Sequence, residues 1–341
     1  MNNSGMNNSG RFAGALLGMA GLAALCGPAA AQTSITLAMS AGVNQVPSLV
    51  ALDQGYFADE GLEVRLMPVA RGGVAVEAMA SGSVEFAESA HTTFFSAVNS
   101  GLPLIAIGTA TRGYFGKMIA SNQHADLSSI SDFKGKRIGT QVGTGMHMVV
   151  EMLIEQAGLS VDDFQITNIR VVDMPAAMAS GGAFDAVIGW EPGMQRIVQS
   201  GNGVEVMGAP DFEREAQITY PFVISARREY VEANPEIVQG VLNAYARAHA
   251  FVRDNPEAAV DIYHAALEET GAELDRETAE FMMFDTERFG GSVMITSADR
   301  VDWEGTRDFL IRTRPDFANL PEIDAMMTNS FAEQADELLS N

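Results

Sequence analysis

Apolar and polar residues alternate along SITLAMS (Ser34 to Ser40) and again along EVRLMPV (Glu63 to Val69), the two-residue period of a half-buried strand. Between them VPSLVALDQGYFADEGL, Val46 to Leu62, has helical spacing and predicts a helix ended by the turn-forming Gly55 and Gly61. GGVAVEAMASG, Gly72 to Gly82, predicts a second helix with a glycine stop, where a left-handed cap is sterically cheap. The short strand VEFAE then leads to SAHTTFFSAVNSG, a helix for which Ser89 or Thr92 is the candidate cap. Strands alternating with helices in this way predict an open α/β unit.

The same order begins again at KRIGTQV, a strand from Lys136 to Val142. It continues through the helix GTGMHMVVEMLIEQAGL, the strand ITNIRVV, and the helix MPAAMASG with Asp173 as candidate cap. The strand AFDAVIGW follows, and then EPGMQRIVQSG, a helix whose first turn suits Pro192. The pentapeptide AMASG occurs in both units, at Ala78 and at Ala177, 99 residues apart. Five common residues can recur by chance, but the shared order of flanking elements places both copies at the end of a helix that feeds a short strand. Glu85 and Asp185 then match as well, which reads as shared architecture rather than a paired acid and base.

LIAIGTATRGYFGKMIAS, from Leu104, and ITYPFVISARREYV, from Ile218, read as extended crossings between the units. Residues 234–341 are mostly helical and hold no third copy of the phrase. The expected class is therefore α/β: two open α/β sheets joined by a two-stranded hinge, with extra C-terminal helices. Residues 32–113 plus 223–341 are expected to form lobe 1, and 114–222 lobe 2.

A chain of 341 residues, 47% hydrophobic and 19% charged, is long and apolar enough for two such cores. Its start differs: a polar run with Arg11, the apolar FAGALLGMAGLAALCG, then Ala29-Ala30-Ala31. This is the form of an export signal, residues 1–31, cleaved after Ala31. The alternative of a membrane anchor meets an apolar run short of the roughly 20 residues a spanning helix needs. Lipidation of Cys26 meets the bulky Leu25 before it. Cleavage would remove the one cysteine, and with it any disulfide or thiol chemistry, and would shift the formal charge from −23 to −24. An acidic surface of this kind repels nucleic acid and anionic lipid.

Ligands of open α/β sheets bind beyond the carboxyl ends of the strands, at helix N-termini. Here those ends are the loops Ser40 to Gln45, Ser89 to Thr93, Gly143 to His147 and Gly189 to Pro192. The candidate ligand-binding residues are Ser40, Val43, Asn44, Gln45, Ser89, His91, Thr92, Thr144, Gly145, Met146, Trp190 and Glu191, with Arg71 as a cleft cation and Tyr220 from the return crossing. Ser89, Thr92 and Thr144 have the alternative role of helix caps, Trp190 that of core, and His91 and His147 that of structural histidines. Catalytic and metal signatures are missing. The five histidines show no HxH or HExxH spacing, no GxSxG or GxGxxG follows a strand, and VGTGMH lacks the Lys of a phosphate loop. No cofactor and no metal are expected.

The runs PSLVALDQGYFADEGLEV, EAMASGSVEFA, DFKGKRIG, FDAVIGWEP and ARREYVEANPE resemble the substrate-binding proteins of ABC importers in the family that takes up nitrate, taurine, alkanesulfonates and thiamine precursors. The resemblance implies a type II periplasmic binding protein: two lobes that close on a small anionic or zwitterionic solute, first of all an organosulfonate, and a monomer that docks on a membrane permease. It implies that the loops at Ser40–Gln45, Ser89–Thr92 and Thr144–Met146 hold the ligand and that Trp190 and Glu191 close the pocket. The Ser89-Ala90-His91-Thr92 loop departs from the Gly-rich loop of sulfonate binders. Two alternatives are an enzyme or binding protein of the thiamine-pyrimidine branch, whose enzymes rely on a cysteine-rich motif, and a subunit that passes ligand to a membrane sensor.

Overall fold

The computed structural model describes residues 32–340 apart from 41, 70, 270–274 and 284–286. The export signal, its cleavage site and Cys26 lie outside the described residues.

The chain opens with β1 (Thr33–Ser40), α1 (Val46–Asp53), α2 (Tyr56–Asp59), β2 (Leu62–Val69), α3 (Gly72–Ala80), β3 (Phe86–Ala90), α4 (His91–Asn99) and β4 (Leu104–Thr111). It then builds β5 (Gly116–Ala120), β6 (Arg137–Thr140), α5 (Gly145–Gln156), β7 (Gln165–Asn168), α6 (Met174–Ser180), β8 (Ala186–Trp190), α7 (Gly193–Gln199), β9 (Val204–Met207) and α8 (Ala209–Ala216). It returns through β10 (Phe222–Arg227) to α9 (Arg228–Ala233), α10 (Pro235–Asp254), α11 (Pro256–Glu269), α12 (Arg276–Met282), α13 (Glu287–Gly290), α14 (Ser297–Thr313), α15 (Ile323–Met326) and α16 (Ser330–Ser340).

Two mixed five-stranded sheets result, ordered β2-β1-β3-β10-β4 and β7-β6-β8-β5-β9. In each, the third strand runs parallel to one neighbour and antiparallel to the other: β3 beside β1 and β10, β8 beside β6 and β5. These are the strands that the two AMASG phrases feed. Both phrases end on a left-handed glycine, Gly82 at φ 79° and Gly181 at φ 72°, a conformation in which a side chain would be strained. Glu85 accepts from Thr36 N–H at 2.7 Å while its own N–H donates to Thr36 O. Asp185 repeats this with Arg137 at 2.9 Å. The acidic residue before each third strand therefore closes the edge of the neighbouring parallel strand.

The sequence-predicted helix from Val46 to Leu62 is two helices, because Gly55, at φ 72°, turns the chain between α1 and α2. Ser89 lies inside β3, and α4 starts at His91 with no side-chain cap. Antiparallel pairing of Phe222 with Ala90 and Val223 with Ser89 extends β3 past the point where its own pattern stops. Asp173 also caps nothing and instead pairs with Arg170, while Thr144 does cap α5, accepting from His147 N–H at 3.3 Å.

The C-terminal helices cover the first sheet, with α10 against α1 and α16 and α14 against α4. The chain passes between the sheets twice, at Arg112–Phe115 and at Gln217–Pro221, and the two passages touch where Gly113 N–H donates to Thr219 O at 2.9 Å. Two non-glycine residues of the return passage have left-handed backbones, Gln217 at φ 55° and Tyr220 at φ 47°. Gln217 is exposed and closes α8 with its N–H on Glu213 O. Gln217→Gly should raise the melting temperature by about 1–3 °C in calorimetry, since glycine pays no Cβ penalty at a left-handed helix end; a fall would show that the turn is unstrained.

Candidate functional site

A cavity of about 690 Å³ opens between the two sheets, at the ends of the strands where helices begin. The first-sheet side supplies Ser40, Val43, Asn44, Arg71, Gly72, Gly73 and Thr92, and the second-sheet side Thr144, Gly145, Met146, Trp190 and Glu191. Tyr220, from the return passage, joins them. Helices α3, α4 and α5 all start in this wall, so the positive ends of their dipoles face one space, while Val74, His91 and His147 N–H are already taken by Arg71 O, Pro221 O and Thr144 Oγ1. Arg71, directly before α3, is exposed: its carbonyl accepts from Val74 N–H at 3.0 Å, and its side chain makes no hydrogen bond or ion pair among the described residues.

The elements meet closely at Gly145. A Cβ there would lie 2.2 Å from Tyr220 Oη and 2.4 Å from Thr92 Oγ1, so only glycine lets α5 approach both the return passage and α4. Burial of Tyr220 pushes its phenol above the ordinary tyrosine range, so it is a neutral donor at any physiological pH. Tyr114, packed edge to face on Tyr220 with ring centroids 5.2 Å apart, is raised by the same cause.

The second-sheet wall is acidic around one cation. Lys117, buried on β5, places Nζ 3.2 Å from Glu191 Oε1, 2.9 Å from Glu205 Oε2 and 4.3 Å from the centre of the Phe281 ring. Glu191 also accepts from Gln195 N–H at 2.8 Å, which fixes the residue beside Trp190 to the start of α7.

Three sequence-predicted site residues lie outside the wall. Gln45 is buried in the turn before α1, and Ser89 is fully buried in β3 behind Gly72, whose Cβ would come 3.1 Å from Ser89 Cβ. His91 points away from the cavity: its Nε2 lies 3.2 Å from Thr306 Oγ1 and 3.7 Å from Asp302, and its ring stacks at 14° on Trp303. Burial lowers its pKa and holds it neutral, a structural histidine between α4 and α14. His147 is likewise not in the wall and sits 3.8 Å from Glu151.

The cavity also uses residues that the sequence did not single out. Lys117 carried one usable signal, a lone lysine inside the apolar run of a strand. Phe281 and Met282 from α12, and Leu310 and Arg314 from the end of α14, carried none, because only the return of the C-terminal helices brings them to the cleft. Among the described residues no cluster of His, Cys, Asp and Glu could hold a metal ion, and no helix is long and apolar enough to cross a membrane.

Residues 43–259 match the NMT1/THI5-like family, and the chain belongs to it. A binding protein of Brucella abortus is 28% identical over 229 residues, 67% of this chain and 69% of that one. A protein of Bacillus subtilis named for binding aliphatic sulfonates is 24% identical over 295 residues, 85% of this chain and 84% of that one. The fold is that of the periplasmic aliphatic sulphonate binding protein SsuA from Escherichia coli, with a TM-score of 0.71 at 18% identity over 87% of this chain and 92% of that one. The molecule thus has the two-lobed fold of the periplasmic binding proteins.

Proposed function

We propose that this protein is the exported solute-binding component of an ABC importer and that it captures a small organic acid, first of all an organosulfonate, without breaking a bond. The observation that carries this is the convergence of three helix N-termini on one cleft, those of α3 and α4 with the Arg71 side chain on the first-sheet side and that of α5 on the second-sheet side, where Trp190 also faces the cavity. Unpaired N–H groups and a guanidinium suit an anionic head, and an indole suits an apolar body. Ser40, Asn44, Thr92 and Thr144 add hydroxyl and amide groups to the head site. Residues 32–113 plus 223–341 act as one moving body and 114–222 as the other, and a ligand that touches both favours the closed state by its differential affinity. The protein works as a monomer and delivers its ligand to the membrane permease. Relatives named for sulfonates support this choice over the other solutes of the family.

A thermal-shift screen against sulfonates, nitrate, amino and aromatic acids, and pyrimidines tests the reading, because a ligand that binds only the folded state raises the melting temperature with its concentration. A sulfonate should give the largest shift. A pyrimidine as the strongest hit, or turnover of any bound compound, would move the protein to the thiamine-precursor branch. Trp190→Ala should then weaken the strongest hit about 10- to 50-fold by calorimetric titration, the loss expected for one buried aromatic contact; unchanged affinity would remove Trp190 from the site.

A further inference from the structure

Tyr220 is both the residue that meets Gly145 across the cleft and a residue with a left-handed backbone, at φ 47°. A bulky side chain holds that conformation only when its surroundings impose it. Asp302, on α14, imposes it here. Its Oδ2 accepts from Tyr220 N–H at 2.8 Å and from Thr219 N–H at 3.0 Å, and Thr219 Oγ1 lies 3.2 Å away. Its Oδ1 accepts from Thr306 Oγ1 at 3.2 Å. The carboxylate is buried, so two consecutive N–H groups of the return passage are satisfied by a side chain rather than by water or a strand.

One turn earlier on α14, Asp299 holds the other passage. Arg112 Nε and Nη2 donate to Asp299 Oδ2 at 3.0 and 2.9 Å, and Thr219 Oγ1 sits 3.1 Å from Asp299 Oδ1. The start of α14 therefore grips both passages between the sheets. Its far end reaches the second sheet's helix α5, to which Arg314, just beyond α14, pairs through Glu151 at 2.5 Å.

We infer that Asp302 is the positioning residue of the cleft: by fixing the left-handed turn at Tyr220 it carries the phenol to Gly145 and Thr92, and so sets how closely α5 approaches the first lobe. Without the carboxylate the turn relaxes to an ordinary backbone, the phenol withdraws, and the contact at Gly145 opens. The inference concerns the protein without ligand and stands whichever solute it carries.

Hydrogen exchange of the full chain, followed by mass spectrometry, reads both ends of this linkage, since exchange reports local opening segment by segment. Asp302→Ala should speed exchange at least tenfold in residues 217–220 and also in residues 143–147, while the strands of both sheets keep their protection. Tyr220→Ala should speed residues 143–147 to the same extent, and the double variant should add nothing there. Unchanged exchange at 143–147 in a folded Asp302→Ala protein would overturn the inference. So would acceleration spread evenly over both sheets, which is the mark of lost global stability. If Asp302→Ala does not fold, Asp302→Asn keeps one acceptor oxygen and should speed the same two segments about threefold; no change in them would count equally against it.

Discussion

Gly145→Ala is expected to weaken binding of the strongest ligand from the thermal-shift screen by about 100-fold or more, about 2.7 kcal/mol. The added Cβ would fall 2.2 Å from Tyr220 Oη and 2.4 Å from Thr92 Oγ1, well inside contact distance. Neither neighbour yields easily. Tyr220 is held by its own backbone on Asp302 and boxed by the rings of Tyr114, His91 and Phe222, and Thr92 is in the first turn of α4. The methyl group must therefore drive α5 away from the first lobe, and a ligand touching both lobes loses one set of contacts. Calorimetric titration reads the affinity, and the solution scattering radius of the ligand-free variant should rise. Affinity within threefold of the parent would show that the α5–Tyr220 contact is not part of the bound state.

Glu88→Gln should stabilise the protein at pH 8 and leave it nearly unchanged at pH 4. Glu88 lies in the middle of the first sheet on β3, fully buried, with the Tyr245 hydroxyl donating to it and Ser48 beside it. Burial is the dominant influence and pushes its carboxyl up to about 7, against the hydrogen bond from Tyr245 and the nearby Ser48 hydroxyl, which lower it. In the unfolded chain the group titrates near its ordinary value of 4.5, so between pH 4.5 and 7 the unfolded state has released a proton that the folded state still holds. Stability contributed by the protonated carboxyl is complete below 4.5, falls as pH rises through that window, and is lost above about 7. The shift corresponds to about 3 kcal/mol. Glutamine keeps the acceptor for Tyr245 and carries no charge. Urea unfolding at pH 4 and pH 8 should show a gain of about 2–3 kcal/mol only at the higher pH; an equal effect at both would mean that burial does not raise the Glu88 carboxyl in the folded protein.

Much of the fold was legible because helix and strand periods are local. The strands β1, β2, β6 and β8, the long α5 and α10, and the glycine stops at Gly82 and Gly181 are written in neighbouring residues. The repeated AMASG phrase showed that one arrangement is used twice, and the matched carboxylates of Glu85 and Asp185 follow from it. That Ser40, Asn44, Thr92, Thr144 to Met146, Trp190 and Glu191 line a cavity could be read ahead because the cleft of an α/β sheet opens at the strand ends.

The tertiary structure decided what depends on residues far apart in the chain. Pairing with β10 turned Ser89 into a buried strand residue, and α14 took His91 as a partner and drew it out of the site. Gln45 was buried in the short turn Val43–Gln45, which packs on β1, β4 and the start of α1, an arrangement no local pattern expresses. The return of the C-terminal helices placed Phe281, Leu310 and Arg314 in the cleft wall, and folding of the second sheet set Glu191 and Glu205 on either side of Lys117. A sequence states which backbone conformations and faces its segments prefer, through sterics and periodicity; which side chains share a site depends on which segments exclude water against each other, and that is settled only when the whole core closes.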